Sequence, residues 1–152
     1  MLIHTKKGDK KYFSLGMHTY IIKKYNSLFE ELLKKYDISQ IEVDVLAFLA
    51  NNPEYQYAQD IVKVRGISKS HVSTAIDKLV KRGYVSRNPD PKNRRFNVLH
   101  VEKKAQNIVQ DIQEIQHSYN QMSFQDISLD DIVTYHEVLQ KIYHNLGGGH
   151  DE

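Results

Sequence analysis

The sequence contains no cysteine, and that absence excludes several kinds of chemistry at once. A chain of 152 residues without cysteine has no disulfide framework, no thiol nucleophile, no thiol redox sensor and no cysteine-ligated zinc. No apolar run approaches the ~20 residues of a membrane-spanning helix, so we expect no membrane partner. The first residues, MLIHTKKGDKK, lack the apolar core of a signal peptide. These absences predict a cytoplasmic protein.

Motifs for catalysis and metal binding are lacking as well. The sequence has no glycine-rich phosphate loop and no G-x-S-x-G turn around a nucleophile. It has eight histidines, but none follows another at the His-x-x-x-His spacing that places two imidazoles on one helix face. We therefore expect no catalytic residue, no cofactor and no metal. A metal site assembled between helices remains the open alternative.

Positive charge is concentrated in the middle of the chain. Residues 57–104 hold twelve Lys and Arg against four Asp and Glu, a net charge of +8, although the whole chain has a net charge of only +2. Residues 105–152 hold one Lys against eight acids, a net charge of −7. A basic lobe followed by an acidic region is typical of a protein that binds a polyanion. The alternative is a solvated surface with chance clustering of charge.

The basic segment begins with the pattern of a helix-turn-helix. A short helix over 58–65 is predicted to stop at Gly66, and Ser68 is predicted to cap a second helix that ends at Gly83. Val72 and Ile76 belong to the apolar stripe of this second helix, together with Leu79 and Val80. The opposite side is polar and close to the capped end, as reading a DNA groove requires. That side carries Ser70, Thr74 and Lys81, with His71, Asp77 and Lys78 beside them.

A β-hairpin with a cationic tip is predicted to follow. Residues 84–87 and 96–101 have the composition of strands, and residues 88–93 between them are rich in Asn, Asp and Pro. Lys92, Arg94 and Arg95 give the tip the charge that a wing would need to contact phosphates or a minor groove. The predicted fold is therefore mostly α with a small β-wing, a winged helix-turn-helix.

Three longer helices with regular apolar seams are predicted around this lobe. The first covers about 12–36, with His18, Ile22, Tyr25, Phe29, Leu32 and Tyr36 on its seam, and Ser39 caps the helix that follows. The second covers about 103–122 and the third begins at the cap Ser128. Their seams predict a dimer interface made by Ile108, Ile112, Ile115, Tyr119, Ile132, Tyr135, Leu139 and Ile142. A purely intramolecular bundle is the alternative.

The ordered motifs of residues 38–104 resemble the MarR family of bacterial winged helix-turn-helix regulators. The resemblance lies in GISKS at 66–70, IDKL at 76–79, KRGYV at 81–85 and DPKNRR at 90–95. It implies one chain, 1–152, with a DNA-binding lobe at 38–102 and flanking dimerisation helices at 11–36 and 103–146. Two positions depart from the family pattern. Asn93 replaces the usual wing Asp, so it can accept a hydrogen bond but brings no charge, and Val101-Glu102 replaces Leu-Thr.

The resemblance also assigns residues to DNA contacts. Ser70 and Thr74 are expected to contact bases, Lys69 and Lys78 to contact phosphates, and one of the two wing arginines to enter the minor groove. Ser68 is expected to act more as a helix cap than as a base contact, and Arg87 either contacts phosphate or forms a structural salt bridge. The complete predicted set is Ser68, Lys69, Ser70, His71, Ser73, Thr74, Lys78, Arg87, Lys92, Arg94 and Arg95.

The predicted function is that of a homodimeric, sequence-specific regulator that binds double-stranded DNA at a pseudo-palindromic operator. Repression by exclusion of polymerase is the expected outcome. The family resemblance further implies a crevice for a small aromatic effector, with His18 and Tyr25 as its candidate residues, although ordinary packing would also explain tyrosines on this helix. The alternatives are a winged-helix module that binds proteins and a constitutive DNA binder without an effector.

Overall fold

The computed structural model describes residues 14–149 and is mostly helical, with one small antiparallel sheet. This confirms the predicted fold class. Its elements are α1 (Ser14–Ser27), α2 (Glu30–Tyr36), α3 (Gln40–Asn51), α4 (Ala58–Arg65), α5 (Lys69–Lys81), β1 (Val85–Pro89), β2 (Asn97–Val101), a 3₁₀ turn (Lys103–Ala105), α6 (Gln106–Ser123) and α7 (Leu129–Asn145). The chain divides into two compact units, one ending at Gln116 and the other beginning at His117.

The first predicted helix is interrupted, so the prediction of one continuous helix over 12–36 is wrong. Residues 12 and 13 lie outside the described residues, α1 ends at Ser27, and α2 begins at Glu30. The Ser27 hydroxyl donates to the Lys24 carbonyl at 2.7 Å, a local bond that competes with continued helix. Within the break Phe29 is completely buried, whereas Ile22, from the same predicted seam, is exposed.

The predicted helix caps are confirmed. Ser39 forms a reciprocal capping box with Glu42, whose amide donates to the Ser39 hydroxyl at 3.3 Å and whose carboxylate accepts the Ser39 N–H at 2.8 Å. Ser68 and Ser128 cap α5 and α7 through their hydroxyls, and Gly66 ends α4 with a φ of 63°. These caps satisfy backbone groups that have no partner within a helix, so α3, α5 and α7 start, and α4 stops, where the sequence indicates.

The core of the first unit is built around α3. Residues 42–49 of this helix are buried without exception, because α4, α5 and β2 contact it from different sides. The apolar side of α5 supplies Val72, Ala75, Ile76 and Leu79 to this core. In the sheet Val85 pairs with Val101 and Arg87 pairs with Leu99. Val85 and Leu99 are buried, while Arg87 stays exposed.

The start of α6 also belongs to this core. Ile108 is 2 % exposed and Ile112 is 0 % exposed in the single chain, and Ile115 is half-buried against the same cluster. A side chain without exposed surface leaves nothing for a second copy to bury. The structure therefore contradicts a place for Ile108 and Ile112 in a dimer interface. Heptad spacing identified the buried face of α6, but it did not identify what buries that face.

The second unit consists of the end of α6 and α7. No residue of α7 is fully buried in the single chain, and Tyr135, Leu139 and Ile142 are all exposed. Their assignment to a dimer interface stays a prediction. Across residues 14–149 no helix combines the length and the apolar character that crossing a bilayer requires.

The buried Ile112 side chain contributes to the stability of the first unit. Ile112→Ala should lower the free energy of unfolding by about 2–5 kcal/mol, because it removes buried methyl groups and leaves a cavity. Gln110→Ala, two residues away on the exposed side of α6, should change it by no more than about 0.5 kcal/mol. Urea denaturation followed by circular dichroism measures both. Equal, small effects would contradict the place of Ile112 in the core.

Candidate nucleic-acid interface

The outward side of α5 carries every residue that the sequence predicted for a recognition helix. Ser70, Ser73 and Thr74 are exposed, and they alternate with Val72 and Ile76, which are buried. The helix starts at Ser68, whose hydroxyl accepts the His71 N–H at 3.4 Å. The exposed set on and before α5 is Ser68, Lys69, Ser70, His71, Ser73, Thr74 and Lys78. These side chains are therefore available to a ligand.

The tip of the wing is a compact turn that presents three cations. Its ends meet where the Asp90 N–H donates to the Phe96 carbonyl at 2.9 Å. Inside the turn the Asn93 side-chain oxygen accepts the Arg95 N–H at 3.2 Å, which confirms that Asn93 still accepts a hydrogen bond. Lys92, Arg94 and Arg95 are all exposed. The turn therefore directs positive charge into solvent.

A buried acid beneath this turn was missed by the sequence reasoning. The Asp90 carboxylate is 5 % exposed and accepts the Tyr57 hydroxyl at 2.5 Å and the Lys92 N–H at 2.8 Å. These bonds, led by the one from Tyr57, hold the pKa of Asp90 below its ordinary value. One sequence signal was available, since Tyr57 occupies the N-cap of α4, where a small hydroxyl or amide residue is usual.

Arg87 joins the wing to α5. Its guanidinium lies 2.7 Å from the Asp77 carboxylate, so a residue of β1 is paired with a residue of α5. Of the two roles open to Arg87, the structure has the salt bridge, and a phosphate contact stays a prediction. Both partners are exposed, and such pairs contribute roughly 0–1 kcal/mol. The pair therefore affects the position of β1 relative to α5 more than the free energy of unfolding.

A cavity of about 530 Å³ lies between α4, α5 and the wing. Val62, Val72, Ile76 and Leu99 contribute apolar surface to its wall. Lys63, Lys69, Arg87 and Arg95 also line it and give it positive charge. An elongated ligand with anionic groups and less polar segments between them would match this surface.

Arg82, although it belongs to the basic segment, is used within the fold. Its guanidinium donates to the Tyr36 carbonyl at 2.7 Å and the Asp37 carbonyl at 2.5 Å, and it lies 4.9 Å from the centre of the Tyr84 ring. Asp37, which ends α2, has a left-handed φ of 50°. The two carbonyls that Arg82 binds belong to this turn. Arg82 thus fixes the C-terminal end of α5 to the turn between α2 and α3.

Arg65 is likewise paired inside the lobe. It lies 2.9 Å from the Asp44 carboxylate, which is almost completely buried on α3. Burial raises the pKa of Asp44, and the nearby charge of Arg65 opposes that rise. This pair links α3 to the end of α4 and so supports the helix-turn-helix. Because Arg65 is paired within the lobe, the candidate ligand contacts are those of other cations.

The candidate effector residues lie on α1 in different surroundings. Tyr25 packs its ring against Phe29 with 5.0 Å between ring centres, and its hydroxyl accepts from the Gln116 side chain at 3.0 Å. His18 is exposed. Their role in an effector pocket stays a prediction. Within residues 14–149 no three His, Asp or Glu side chains converge in a way that could hold a metal ion.

Comparison with protein families matches residues 36–95 to the MarR family. The matched segment runs from the end of α2 to the wing tip, so it contains the exposed side of α5, the turn held by Arg82 and all three tip cations.

Solved structures of MarR proteins share the fold over nearly the whole chain. A MarR-family transcriptional regulator from Silicibacter pomeroyi has a TM-score of 0.78 at 17% identity, covering 92% of this chain and 93% of its own. A MarR protein from Peptoclostridium difficile has a TM-score of 0.74 at 19% identity, with 95% and 94% covered. A cysteine-to-serine mutant of MarR from E. coli, complexed with operator DNA, has a TM-score of 0.65 at 20% identity, with 86% and 94% covered. The fold is that of MarR-family transcriptional regulators.

Proposed function

We propose that this protein is a sequence-specific transcriptional regulator that binds double-stranded DNA as a homodimer. One observation carries the proposal: the exposed polar side of α5 and the cationic wing tip flank a single cavity lined by Lys69, Arg87 and Arg95. The E. coli relative complexed with operator DNA supports the choice of DNA as the ligand.

The two flanks of this cavity fit adjacent grooves of one duplex. A helix with exposed hydroxyl and amine groups suits the major groove, and a narrow cationic turn suits the neighbouring minor groove. The sugar–phosphate strand that separates two such grooves then passes between α5 and the wing. The basic side chains of the cavity wall would contact its phosphates, and the apolar floor would contact its sugars.

Individual roles follow from position on α5 and the wing. Ser70 and Thr74 would donate to or accept from base edges, while Lys69 and Lys78 would pair with phosphates. His71 and Ser73 lie beside them and would contact either bases or phosphates. At the tip, one of Arg94 and Arg95 would enter the minor groove, and the other would contact the backbone together with Lys92.

Dimerisation would place two recognition helices on successive turns of the duplex, about 34 Å apart. The apolar side chains of α7 support this part of the proposal. Tyr135 is 46 % exposed, Leu139 38 % and Ile142 47 %, and they share one side of the helix. Tyr119 and Ile132 would extend that surface, and an interface role for the half-buried Ile115 stays a prediction. A dimer that covers a pseudo-palindromic operator would exclude polymerase and so repress transcription.

The proposal includes a small aromatic effector that contacts His18 and Tyr25. The Tyr25 hydroxyl is bonded to Gln116 of α6, so a ligand that displaced this bond would disturb the helix leading towards the proposed interface. A change in the spacing between the two recognition helices would then weaken binding to both half-sites together.

The wing contact predicts a change in salt dependence. Arg94→Ala combined with Arg95→Ala should weaken binding to every duplex. The decrease of log affinity with log salt should also become less steep, by about 0.9 for each phosphate that the wing no longer neutralises. Lys141→Ala removes one positive charge from α7 and should leave the slope unchanged. Fluorescence anisotropy across a salt series measures both. If the double variant kept the wild-type slope, the wing would not contact phosphate.

Base readout by α5 predicts weaker discrimination between duplexes. Ser70→Ala or Thr74→Ala should lower the preference for operator over random duplex by about 1 kcal/mol for each hydroxyl hydrogen bond that is removed. The operator is first obtained by selecting bound duplexes from a random pool. Affinities for both duplexes are then compared at one salt concentration. An equal decrease on the two duplexes would contradict direct readout.

The α7 interface predicts which substitutions produce monomers. Leu139→Asp or Ile142→Asp should give folded monomers by light scattering, because a charge would interrupt an apolar contact between copies. Lys141→Asp, on another side of α7, should remain dimeric. Ile112→Asp should instead abolish cooperative unfolding, since it buries an unpaired charge in the core. A dimer that survives both Leu139→Asp and Ile142→Asp would contradict this interface.

A further inference from the structure

The turn that carries both wing arginines is held at its two ends. It runs from Asp90 to Phe96, and those two residues are joined by a backbone hydrogen bond of 2.9 Å. Within the turn, Asn93 accepts the Phe96 N–H at 3.0 Å on its carbonyl and the Arg95 N–H on its side chain. Every one of these bonds lies within the turn. They shape it, but they do not fix its position relative to the recognition helix.

Tyr57 contacts both ends of this turn from outside the wing. Its hydroxyl donates to the Asp90 carboxylate at 2.5 Å, and its ring lies against the Phe96 ring with 5.8 Å between centres. Asp90 links Tyr57 to the tip, because its other oxygen accepts the Lys92 N–H at 2.8 Å. One side chain of the helix-turn-helix therefore holds the segment that contains Arg94 and Arg95.

Tyr57 is itself fixed to the lobe. Its backbone N–H donates to the Asp60 carboxylate at 3.1 Å at the start of α4. The preceding carbonyl, that of Gln56, accepts the Leu99 N–H of β2 at 2.9 Å. The phenol therefore projects from a backbone segment that is bonded both to α4 and to strand β2 of the wing. Because this segment is fixed, the phenol can fix the position of the tip.

The pKa shifts of Tyr57 and Asp90 agree with a hydrogen bond in which the phenol donates to the carboxylate. The Asp90 carboxylate stabilises the protonated phenol and raises the pKa of Tyr57. The phenol in turn stabilises the ionised carboxylate and lowers the pKa of Asp90. At neutral pH the contact therefore joins a neutral donor to a charged acceptor, which is the stronger kind of hydrogen bond. Asn93 brings no charge, so Asp90 is the acid of the turn that runs from 90 to 96.

We propose that Tyr57 is the positioning residue of the wing: through Asp90 and Phe96 it holds Arg94 and Arg95 at a set place relative to α5 before DNA arrives. This inference rests on the proposed function and adds a determinant of it. Ordering the turn in the free protein removes a conformational cost that would otherwise reduce affinity for DNA. Tyr57 itself lines the cavity between α4, α5 and the wing, and its positioning role is distinct from any contact that its side chain makes with the duplex.

The test is a double-mutant cycle between Tyr57 and the wing arginines. Tyr57→Phe keeps the ring and removes the hydroxyl, and it should weaken binding to a random duplex about fivefold. In protein that already carries Arg94→Ala and Arg95→Ala, the same change should have no further effect. Tyr55→Phe removes a phenol two residues earlier and should match wild type. A similar weakening in both backgrounds, or none in wild type, would overturn the proposal.

Hydrogen exchange in the absence of DNA separates this inference from the proposed function. Tyr57→Phe should speed exchange of the Lys92 amide, which is bonded to Asp90, and leave the Val72 amide of α5 unchanged. Unchanged exchange at Lys92 would overturn the anchoring role of Tyr57. Wild-type protein that fails to bind any duplex would refute the proposed function, and the exchange result would still decide whether Tyr57 holds the turn.

Discussion

Packing of the apolar side of α5 against the core decides which residues of the lobe meet solvent. Val72, Ala75, Ile76 and Leu79 recur at helical spacing and are buried together. Burying a side chain of the size of Val or Leu contributes roughly 1.5–3 kcal/mol, so rotation of α5 about its axis would cost several such contributions. Ser70 and Thr74 are consequently held on the outside. The packing of the core therefore decides which side of α5 is exposed and polar.

Charged groups connect α5 to the elements around it. Arg82 holds the carbonyls of Tyr36 and Asp37, and the Lys104 amine donates to the Arg82 carbonyl at 2.8 Å. The Tyr36 hydroxyl donates to the Asp111 carboxylate of α6 at 2.7 Å, and Lys35 pairs with the same group. These two partners, led by Lys35, lower the pKa of Asp111. The end of α5 and the start of α6 are therefore bonded to the residues around one turn, at the end of α2.

Local features of this protein were predictable because their causes are local. The caps at Ser39, Ser68 and Ser128 and the stop at Gly66 depend on bonds or backbone angles within a few residues. The break after Ser27 was not predicted, because an apolar seam continues in the sequence across the interruption. The pairing of Tyr57 with Asp90 was not predicted either, since 33 positions separate the partners along the chain.

The sequence by itself determined the order of helices and strands from α3 onwards, the polar side of α5 and the cations of the wing tip, since periodicity and turn chemistry act over short distances. Tertiary structure alone decided that Ile108 and Ile112 belong to the core, that Arg65 and Arg82 are used inside the lobe, and that Arg87 pairs with Asp77. Each of these outcomes depends on which distant surface approaches the residue. An apolar or charged side chain specifies the kind of partner it needs, and only the packed fold supplies that partner.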